Sequence, residues 1–295
     1  MTLSNDALGP ALSPYRPTGS LRGRTVLLSG GSRGIGLAIA ARAAEDGANI
    51  VLMAKTGKPH PKLEGTVYTA AEQLVAAGGQ ALPLVGDVRR DEDVERAVAA
   101  AVECFGGIDV LINNASAIDL SRTDAVDMKK YDLMQDINVR GTFLLSKLAL
   151  PALRASTGGH ILTLSPPLNL DPHWAGKHLA YTMAKYGMSL TTLGLAEELK
   201  ADGIRVNSLW PCTLIDTAAI RNMPHGEQMV QAARGPQIMA DAAHAILTGA
   251  NLRAGVGGSG NFYTDEEVLA AAGVADFSPY SLGAPEDRLV PDIFL

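Results

Sequence analysis

The sequence has few of the features that mark secreted, metal-binding and membrane-spanning proteins. Its 295 residues include two cysteines, Cys104 and Cys212, which lie far apart, so neither a disulfide framework nor a thiolate metal site is indicated. The six histidines show no spacing typical of metal ligands, and we expect no metal. No apolar run reaches the ~18 residues that cross a membrane, and the N-terminus lacks a cationic segment followed by an apolar core. We therefore expect a cytoplasmic protein with no membrane partner.

Long runs of one charge are also missing. The formal net charge is -6, with 19% charged and 47% hydrophobic residues, which is ordinary for a globular protein. An acidic balance disfavours a nucleic-acid partner, although it leaves room for a local basic pocket that binds a phosphate. A small molecule is therefore the expected partner.

Short apolar runs alternate with helical patterns from residue 24 onward. Continuous apolar runs of this length are typical of strands that are buried on both faces of a parallel sheet. Parallel neighbours need a crossover helix, so the alternation predicts a single α/β domain, residues 21–295, with a doubly wound Rossmann fold and a seven-stranded parallel sheet. Residues 1–20, with three prolines and little periodicity, are predicted to form a flexible arm. The predicted strands are residues 25–29, 49–54, 81–85, 108–113, 160–164, 204–209 and 260–263, and the predicted helices are residues 34–46, 66–77, 91–105, 131–153, 181–200 and 236–247.

A glycine-rich turn follows the first predicted strand. Gly30, Gly34 and Gly36 allow a tight turn, close approach of the backbone to a pyrophosphate, and a helix N-terminus directed at its charge. An ordinary strand-to-helix turn is the alternative interpretation. The spacing G-x-x-x-G-x-G directly after an apolar strand favours a dinucleotide site, and it differs from the G-x-G-x-x-G spacing of other dinucleotide-binding proteins.

Tyr181 and Lys185 lie four residues apart on a predicted helix and so share one of its faces. A tyrosine hydroxyl has an ordinary pKa near ~10 and transfers protons poorly at neutral pH unless a nearby cation stabilises the phenolate. Lys185 would supply that cation. The same spacing also occurs by chance on helix surfaces, so the pair alone does not establish a catalytic site.

These motifs together resemble those of the short-chain dehydrogenase/reductase family. The glycine turn, the Asn114-Ala115 segment after the fourth strand and the Tyr181-x-x-x-Lys185 pair occur in the family's order over residues 24–264. Within the family the chain looks closest to the hydroxysteroid dehydrogenase-like protein 2 subgroup, through residues 54–56, 59–63, 164–170 and 184–188. The resemblance implies a Rossmann domain that binds a nicotinamide cofactor.

The resemblance also implies a catalytic group. Tyr181 would transfer a proton, while Lys185 lowers its pKa and contacts the nicotinamide ribose. Asn138 matches an asparagine that supports a proton-relay water, although a buried asparagine in a helix needs partners in any case, so a structural role is the alternative. The family's serine falls on Leu168 by spacing, or on Pro166 when the strand is aligned. An insertion would let Ser165 take its place, or the hydroxyl is missing.

The cofactor is predicted from the residues after the second strand. An acid there would bind the ribose hydroxyl of NAD, whereas a cation accepts the 2'-phosphate of NADP. Lys55 and Thr56 follow this strand and Arg33 lies in the glycine turn, so NADP(H) is favoured over NAD(H). A solvated lysine and a helix-capping Asp87 are the plain alternatives. The predicted cofactor-binding residues are Ser29, Gly30, Ser32, Arg33, Gly34, Ile35, Gly36, Lys55, Thr56, Asp87, Val88, Asn114, Ala115, Lys185, Pro211 and Thr213.

The remaining expectations concern substrate and assembly. Residues 212–235, with Met223 and Met229, are predicted to form a lid over an apolar pocket. The C-terminal tail comprises residues 265–295, and its last part, residues 279–295, is apolar enough to dock on a neighbour. The resemblance implies a homo-oligomer, a dimer or tetramer. The expected function is NADP(H)-dependent hydride transfer between nicotinamide and an apolar alcohol or carbonyl compound. A nucleotide-binding sensor or scaffold with weakened redox activity is the alternative, supported by Pro166 and by Cys212 at the family's glycine position.

Overall fold

The computed structural model describes residues 13–60, 64–223, 225–249 and 258–295. Within these ranges seven strands form one sheet, and every neighbouring pair of strands is parallel. The prediction of a single α/β domain with a seven-stranded parallel sheet is confirmed. In chain order the strands are β1 (Thr25–Ser29), β2 (Asn49–Ala54), β3 (Gln80–Val85), β4 (Val110–Asn113), β5 (His160–Thr163), β6 (Arg205–Trp210) and β7 (Phe262–Thr264).

The strand order places the site. It runs β3-β2-β1-β4-β5-β6-β7, so the chain order reverses between β1 and β4. Strand β1 pairs with β2 on one side, with Leu27 opposite Val51, and with β4 on the other, with Leu27 opposite Leu111. All five residues of β1 are buried, as expected for a strand covered on both faces. A crevice opens at such a reversal, beyond the carboxyl ends of the strands.

Helices cover both faces of this sheet. One face packs against α1, α2, α10 and α11, and the other against α3, α5 and α7. The helices in the described residues are α1 (Gly34–Glu45), α2 (Val67–Ala76), α3 (Asp91–Phe105), α4 (Met128–Met134), α5 (Thr142–Ala155), α6 (Pro172–Lys177), α7 (Leu179–Glu198), α8 (Ala218–Arg221), α9 (Gly226–Gln231), α10 (Gln237–Thr248) and α11 (Asp265–Ala271), with a π-helical segment at Gln135–Gly141 and two short 3-10 turns at Ser278–Tyr280 and Glu286–Arg288.

The predicted helix of residues 131–153 is not uniform. It is divided into α4, the π-helical segment and α5. Within the π segment Gly141 comes so close to Val88 that an added Cβ would lie 2.8 Å from a Val88 methyl group. Asn138 in the same segment pairs with the backbone of Ala117. Both contacts hold the π-helical segment against the strand ends. Hydrophobic periodicity does not predict such a π-helical interruption of an α-helix.

The predicted flexible arm needs correction. Residues 1–12 lie outside the described residues, but residues 13–20 pack on the domain. Tyr15 is 4% exposed, and its hydroxyl shares a 3.0 Å hydrogen bond with His244 Nδ1 on α10. The Ser13 hydroxyl donates to Asp241 Oδ2 at 2.6 Å. An aromatic ring and two polar contacts therefore hold this segment, although its prolines suggested a loose arm.

The end of the C-terminal tail packs on its own domain. We call residues 289–294 the closing segment. Its Phe294 is 1% exposed, and its ring lies 5.3 Å from the ring of Tyr186 and 6.0 Å from that of Trp210. Backbone bonds join it to the lid, with Leu214 N donating to Val290 O at 2.9 Å. The closing segment therefore forms part of the wall beside the predicted catalytic tyrosine.

Candidate active site

One cavity of about 930 Å³ lies against the carboxyl ends of the strands. Almost all the residues predicted to bind cofactor or to catalyse line it. The exceptions are Ser29, Asn138, Ser165 and Thr213. The predicted residues that line the cavity are Gly30, Ser32, Arg33, Gly34, Ile35, Gly36, Lys55, Thr56, Asp87, Val88, Asn114, Ala115, Tyr181, Lys185 and Pro211.

The glycine turn forms a cradle that side chains would fill. Gly30 has a left-handed φ of 76°, and a Cβ there would lie 2.8 Å from Ala115 Cα. A Cβ on Gly36 would lie 2.5 Å from Asn114 Nδ2, which donates to Gly30 O at 2.8 Å. The turn therefore needs glycine at both positions. It leads into the N-terminus of α1, and this open backbone fits the pyrophosphate of a dinucleotide.

Ser29 lies beneath this turn and supports it. Its Oγ accepts hydrogen bonds from Asn114 N and Ala115 N, each 3.2 Å long. The hydroxyl thus joins the end of β1 to the segment after β4. The structure gives Ser29 a positioning role, whereas the sequence predicted contact with the cofactor.

Three charged side chains line the cavity beside the ends of β1, β2 and β3: Arg33, Lys55 and Asp87. Lys55 Nζ lies 3.7 Å from Asp87 Oδ2, and Lys55 is the more exposed of the two. Burial would raise the pKa of Asp87, but hydrogen bonds from Arg89 and the nearby positive charges lower it overall. Arg33 donates to Glu64 O and Gly65 O at 2.9 and 2.8 Å, so it holds the loop after β2 against the turn. Lys55 and Arg33 are the two cations of this group, and both line the cavity.

Helix α7 places Tyr181 and Lys185 on its buried face. Tyr181 is 4% exposed and Lys185 3% exposed, and both line the cavity. Lys185 Nζ donates to Leu164 O at 2.9 Å and lies 5.1 Å from the ring centroid of Trp210. Burial lowers the pKa of Lys185 to about 7, although the negative charge of Asp292 raises it.

Tyr181 departs from the expectation that Lys185 lowers its pKa. Burial raises the pKa of Tyr181, and the negative charge of Asp292 raises it further. Lys185 is directed at the end of β5 instead of the phenol. The phenol is consequently protonated at neutral pH, which is the form that can give a proton to a carbonyl oxygen.

Asn138 is fully buried and does not line the cavity. Its Nδ2 donates to Ala117 O at 3.0 Å, and its Oδ1 accepts from Ala117 N at 2.7 Å. The amide thereby clamps the chain that leaves β4 against the π-helical segment. The structural alternative accounts for these contacts, and the proton-relay role stays a prediction.

Ser165 is not at the site. It is fully buried, and its Oγ shares a 2.8 Å hydrogen bond with Ser208 Oγ on β6, which in turn donates to Thr192 Oγ1 on α7. The hydroxyl therefore points between strand and helix instead of at Tyr181. The prediction that Ser165 replaces the family serine is not supported by this geometry.

The segment after β6 forms the cavity wall in part. Pro211 lines the cavity, whereas Thr213 is 8% exposed and pairs with Pro291 in an antiparallel bridge. Burial raises the pKa of the Cys212 thiol to about 12, so it is a space-filling group and not a reactive thiolate. Thr217, which the sequence did not single out, lines the cavity next to Gly34.

The predicted lid and the closing segment form the apolar end of the cavity. Residue 224 of the predicted lid lies outside the described residues. The side chains that line this end are Ile118, Leu120, Trp210, Ile220, Met223, Met229, Val290 and Ile293. Asp292 is the charged group that the closing segment adds to this wall. The pairing of this segment with residues 212–214 is a long-range contact for which the sequence carries no local signal.

The described residues contain no group of three or more potential metal ligands. In the same part of the chain no helix combines the length and the apolar character that crossing a bilayer requires.

Comparison with known proteins agrees with this architecture. The model of the short chain dehydrogenase family matches residues 24–228. The chain is 53% identical to hydroxysteroid dehydrogenase-like protein 2 of Xenopus laevis and 50% identical to that of Homo sapiens, over 278 residues in each case. These alignments cover 94% of this chain but 65% of each relative, so the chain spans less than two thirds of their length.

Solved structures give the same result. A short chain dehydrogenase of Mycobacterium thermoresistibile is 49% identical, with a TM-score of 0.86 over 94% of this chain and 96% of its own. A Xanthomonas campestris protein is 50% identical, with a TM-score of 0.86 over 94% of this chain and 99% of its own. The chain therefore belongs to the short-chain dehydrogenase/reductase family.

Proposed function

We propose that the protein is an NADP(H)-dependent oxidoreductase that transfers a hydride between nicotinamide and an apolar alcohol or carbonyl compound. The observation that carries this proposal is that one continuous cavity is lined by the glycine turn, Lys55 and Tyr181. A dinucleotide bound along it would have its phosphates at the turn and its reactive ring towards α7. Membership of the family supports a nicotinamide cofactor.

The chain's own residues supply proton transfer and orientation. Bound nicotinamide would supply hydride chemistry. Tyr181 carries its proton at neutral pH and gives it to the carbonyl oxygen during reduction. Lys185, whose Nζ donates to Leu164 O, would hold the ribose next to this group. The buried position of both side chains excludes bulk water from the proton transfer.

NADP preference is supported by charge at the other end of the cavity. Lys55 follows β2, where the discriminating residue for the 2'-phosphate stands in dinucleotide-binding sheets. The Lys55 side chain is 56% exposed, and its Nζ lies 3.7 Å from Asp87 Oδ2. The ammonium would therefore be able to turn towards a phosphate. Thr56 lines the same region and adds a hydroxyl donor.

An apolar substrate is supported by the wall around Tyr181. Methionine and branched aliphatic side chains from the lid dominate this end of the cavity. The relatives named above are called hydroxysteroid dehydrogenase-like, which makes a ketosteroid a reasonable probe beside simpler compounds. We therefore choose decanal, decan-2-one and a 3-ketosteroid as test substrates.

The test is NADPH consumption with these three probes by the wild type and by Tyr181→Phe. Removing the hydroxyl is expected to lower kcat by at least ~10²-fold, since general acid catalysis contributes that much, while NADPH still binds. Tyr68→Phe, on the exposed face of α2, is the matched control and should behave as wild type. Undiminished turnover by Tyr181→Phe would show that the phenol is not the acid.

A nucleotide-binding sensor is the second candidate, and one observation favours it. The Ser165 hydroxyl is turned away from the cavity, so Tyr181 lacks this partner. A sensor would bind NADPH yet leave all three probes unreduced. Titration of NADPH by its fluorescence, run beside the turnover assay, separates the two functions.

We also propose that the protein forms a homo-oligomer through α5 and α7. These helices expose large apolar side chains on the domain surface: Phe143, Met183, Leu190 and Leu193. Exposed apolar surface of this kind marks an interaction site when the residues adjoin. The mass measured by light scattering at micromolar concentration tests the proposal.

A further inference from the structure

The closing segment brings a carboxyl group into the cavity. Asp292 is partly buried and lines the same wall as Tyr181 and Lys185. Its own N donates to Cys212 O at 3.0 Å. On its C-terminal side Trp210 Nε1 donates to Ile293 O, also at 3.0 Å. The position of the carboxyl group is thus set by backbone contacts on both sides and not by a free loop.

One oxygen of this carboxyl group remains available. Asp292 Oδ1 accepts a 2.7 Å hydrogen bond from Ile293 N. Oδ2 makes no hydrogen bond to any other residue in the described ranges. In its ionised form Asp292 would raise the pKa of both Tyr181 and Lys185.

A carbonyl oxygen that receives a proton from Tyr181 gains from a second hydrogen-bond donor, because negative charge develops on it in the transition state. Three other polar groups of this region already make hydrogen bonds within the protein. Lys185 Nζ donates to Leu164 O, and the Ser165 hydroxyl is bonded to Ser208. The Asn114 amide donates to the carbonyl oxygens of residues 29 and 30.

We propose that Asp292 is a further catalytic residue, which in its acid form donates a hydrogen bond from the free carboxyl oxygen to the substrate oxygen beside Tyr181. This inference rests on the proposed function. In the reduction the carbonyl carbon receives the hydride and its electron pair, the C=O π bond breaks, and the oxygen takes the proton of Tyr181. Asp292 keeps its own proton throughout, so it stabilises the oxygen without being consumed.

The surroundings of Asp292 maintain this acid form. Burial and the neighbouring carboxylate of Asp265 raise the pKa of Asp292 to about 7, although Lys185 and the Ile293 N–H lower it. The titratable groups that face it are Asp265, Lys185 and Tyr181. A raised pKa means that the neutral donor is present below about 7 and is lost as the pH rises through that value. Reduction should therefore slow above neutrality.

The experiment compares Asp292→Ala and Asp292→Asn with wild type, using NADPH and the three probes named above. Asp292→Ala should lose roughly 10²–10³ in kcat, the usual effect of removing one such donor, while NADPH binding is unchanged. Asp292→Asn keeps a donor and should stay within about tenfold of wild type, but it should lose the pH dependence near neutrality. Asp287→Asn, an exposed acid nearby, is the matched control and should match wild type.

A second readout does not depend on turnover. In protein with ¹³C-labelled aspartate carboxyls, the resonance that is missing from Asp292→Asn should titrate near neutral pH, both in the free protein and with NADPH. Titration near the ordinary ~4 would overturn the proposal. Full activity of Asp292→Ala, or an unchanged pH profile in Asp292→Asn, would also overturn it. Loss of activity in Ser116→Ala with none in Asp292→Ala would assign the donor to Ser116 instead.

The outcomes separate the inference from the function on which it rests. Active wild type with inactive Tyr181→Phe and unaffected Asp292→Ala refutes the inference alone. A wild type that reduces none of the probes refutes the proposed function, and the role of Asp292 is rejected with it.

Discussion

Replacement of Gly36 by alanine is the sharpest test of the glycine turn. The added Cβ would lie 2.5 Å from Asn114 Nδ2 and 2.8 Å from Gly30 O, the two atoms that form a 2.8 Å hydrogen bond with each other. Both atoms belong to the cradle, and Gly30 O is backbone, so the strain cannot be relieved by rotating a flexible side chain. Overpacking costs about 1–3 kcal/mol and a lost hydrogen bond about 0.5–1.5 kcal/mol, so we expect a loss of roughly 2–4 kcal/mol.

Thermal unfolding and NADPH titration measure these effects together. A loss of this size corresponds to a fall in Tm of roughly 3–7 °C for a domain of this length. NADPH affinity should fall at least ~10-fold, because the turn cannot keep its shape beneath the pyrophosphate. Gly107→Ala is the matched control, since no atom lies within 4 Å of its added Cβ and its φ is not left-handed. If Gly36→Ala has the same Tm and the same NADPH affinity as Gly107→Ala, the proposed cradle is wrong.

Three further changes test the other parts of the site. Lys55→Glu should raise the KM for NADPH at least ~10-fold through repulsion of the 2'-phosphate and raise that for NADH far less; equal changes for both would contradict NADP preference. Phe294→Ala removes a ring that is 1% exposed and stacks 6.2 Å from the ring of Tyr181, so ~3–5 kcal/mol of packing is lost and amide exchange in residues 289–294 should increase; unchanged exchange would show that Phe294 does not anchor the segment. Leu190→Glu changes a side chain that is 57% exposed on α7. If that helix forms the interface, the mass measured by light scattering should fall to that of a monomer, and an unchanged mass would contradict the interface.

The sheet and the glycine turn could be predicted because their signals are local. A strand buried on both faces must be apolar throughout, so β1 and β2 are visible as short unbroken runs. The turn is visible because backbone crowding at Gly30 and Gly36 admits no side chain. Helix ends were also predicted to within a few residues where a left-handed glycine follows, as at Gly106 after α3.

The catalytic surroundings could not be predicted because they depend on contacts between distant segments. The direction of the Ser165 hydroxyl is set by Ser208 on the neighbouring strand, and sequence spacing does not show which side of a strand end a side chain takes. Asp292 lines the same cavity as Tyr181 because the closing segment pairs with residues 212–214. An isolated Pro-Asp pair near an apolar run carries no sign of that path.

The most consequential difference between the sequence-based expectation and the structure concerns the protonation of Tyr181. Sequence reasoning expected Lys185 to make the phenol acidic, yet burial and Asp292 raise the pKa of Tyr181. The chain alone therefore maintains the proton donor that reduction needs and disfavours the phenolate that oxidation needs as a base. We expect alcohol oxidation to accelerate as the pH rises well above neutrality, whereas ketone reduction declines above about 7, where Asp292 loses its proton. Initial rates in both directions with the same alcohol and ketone pair measure this. Parallel pH profiles in the two directions would contradict these opposite requirements for protonated and deprotonated groups.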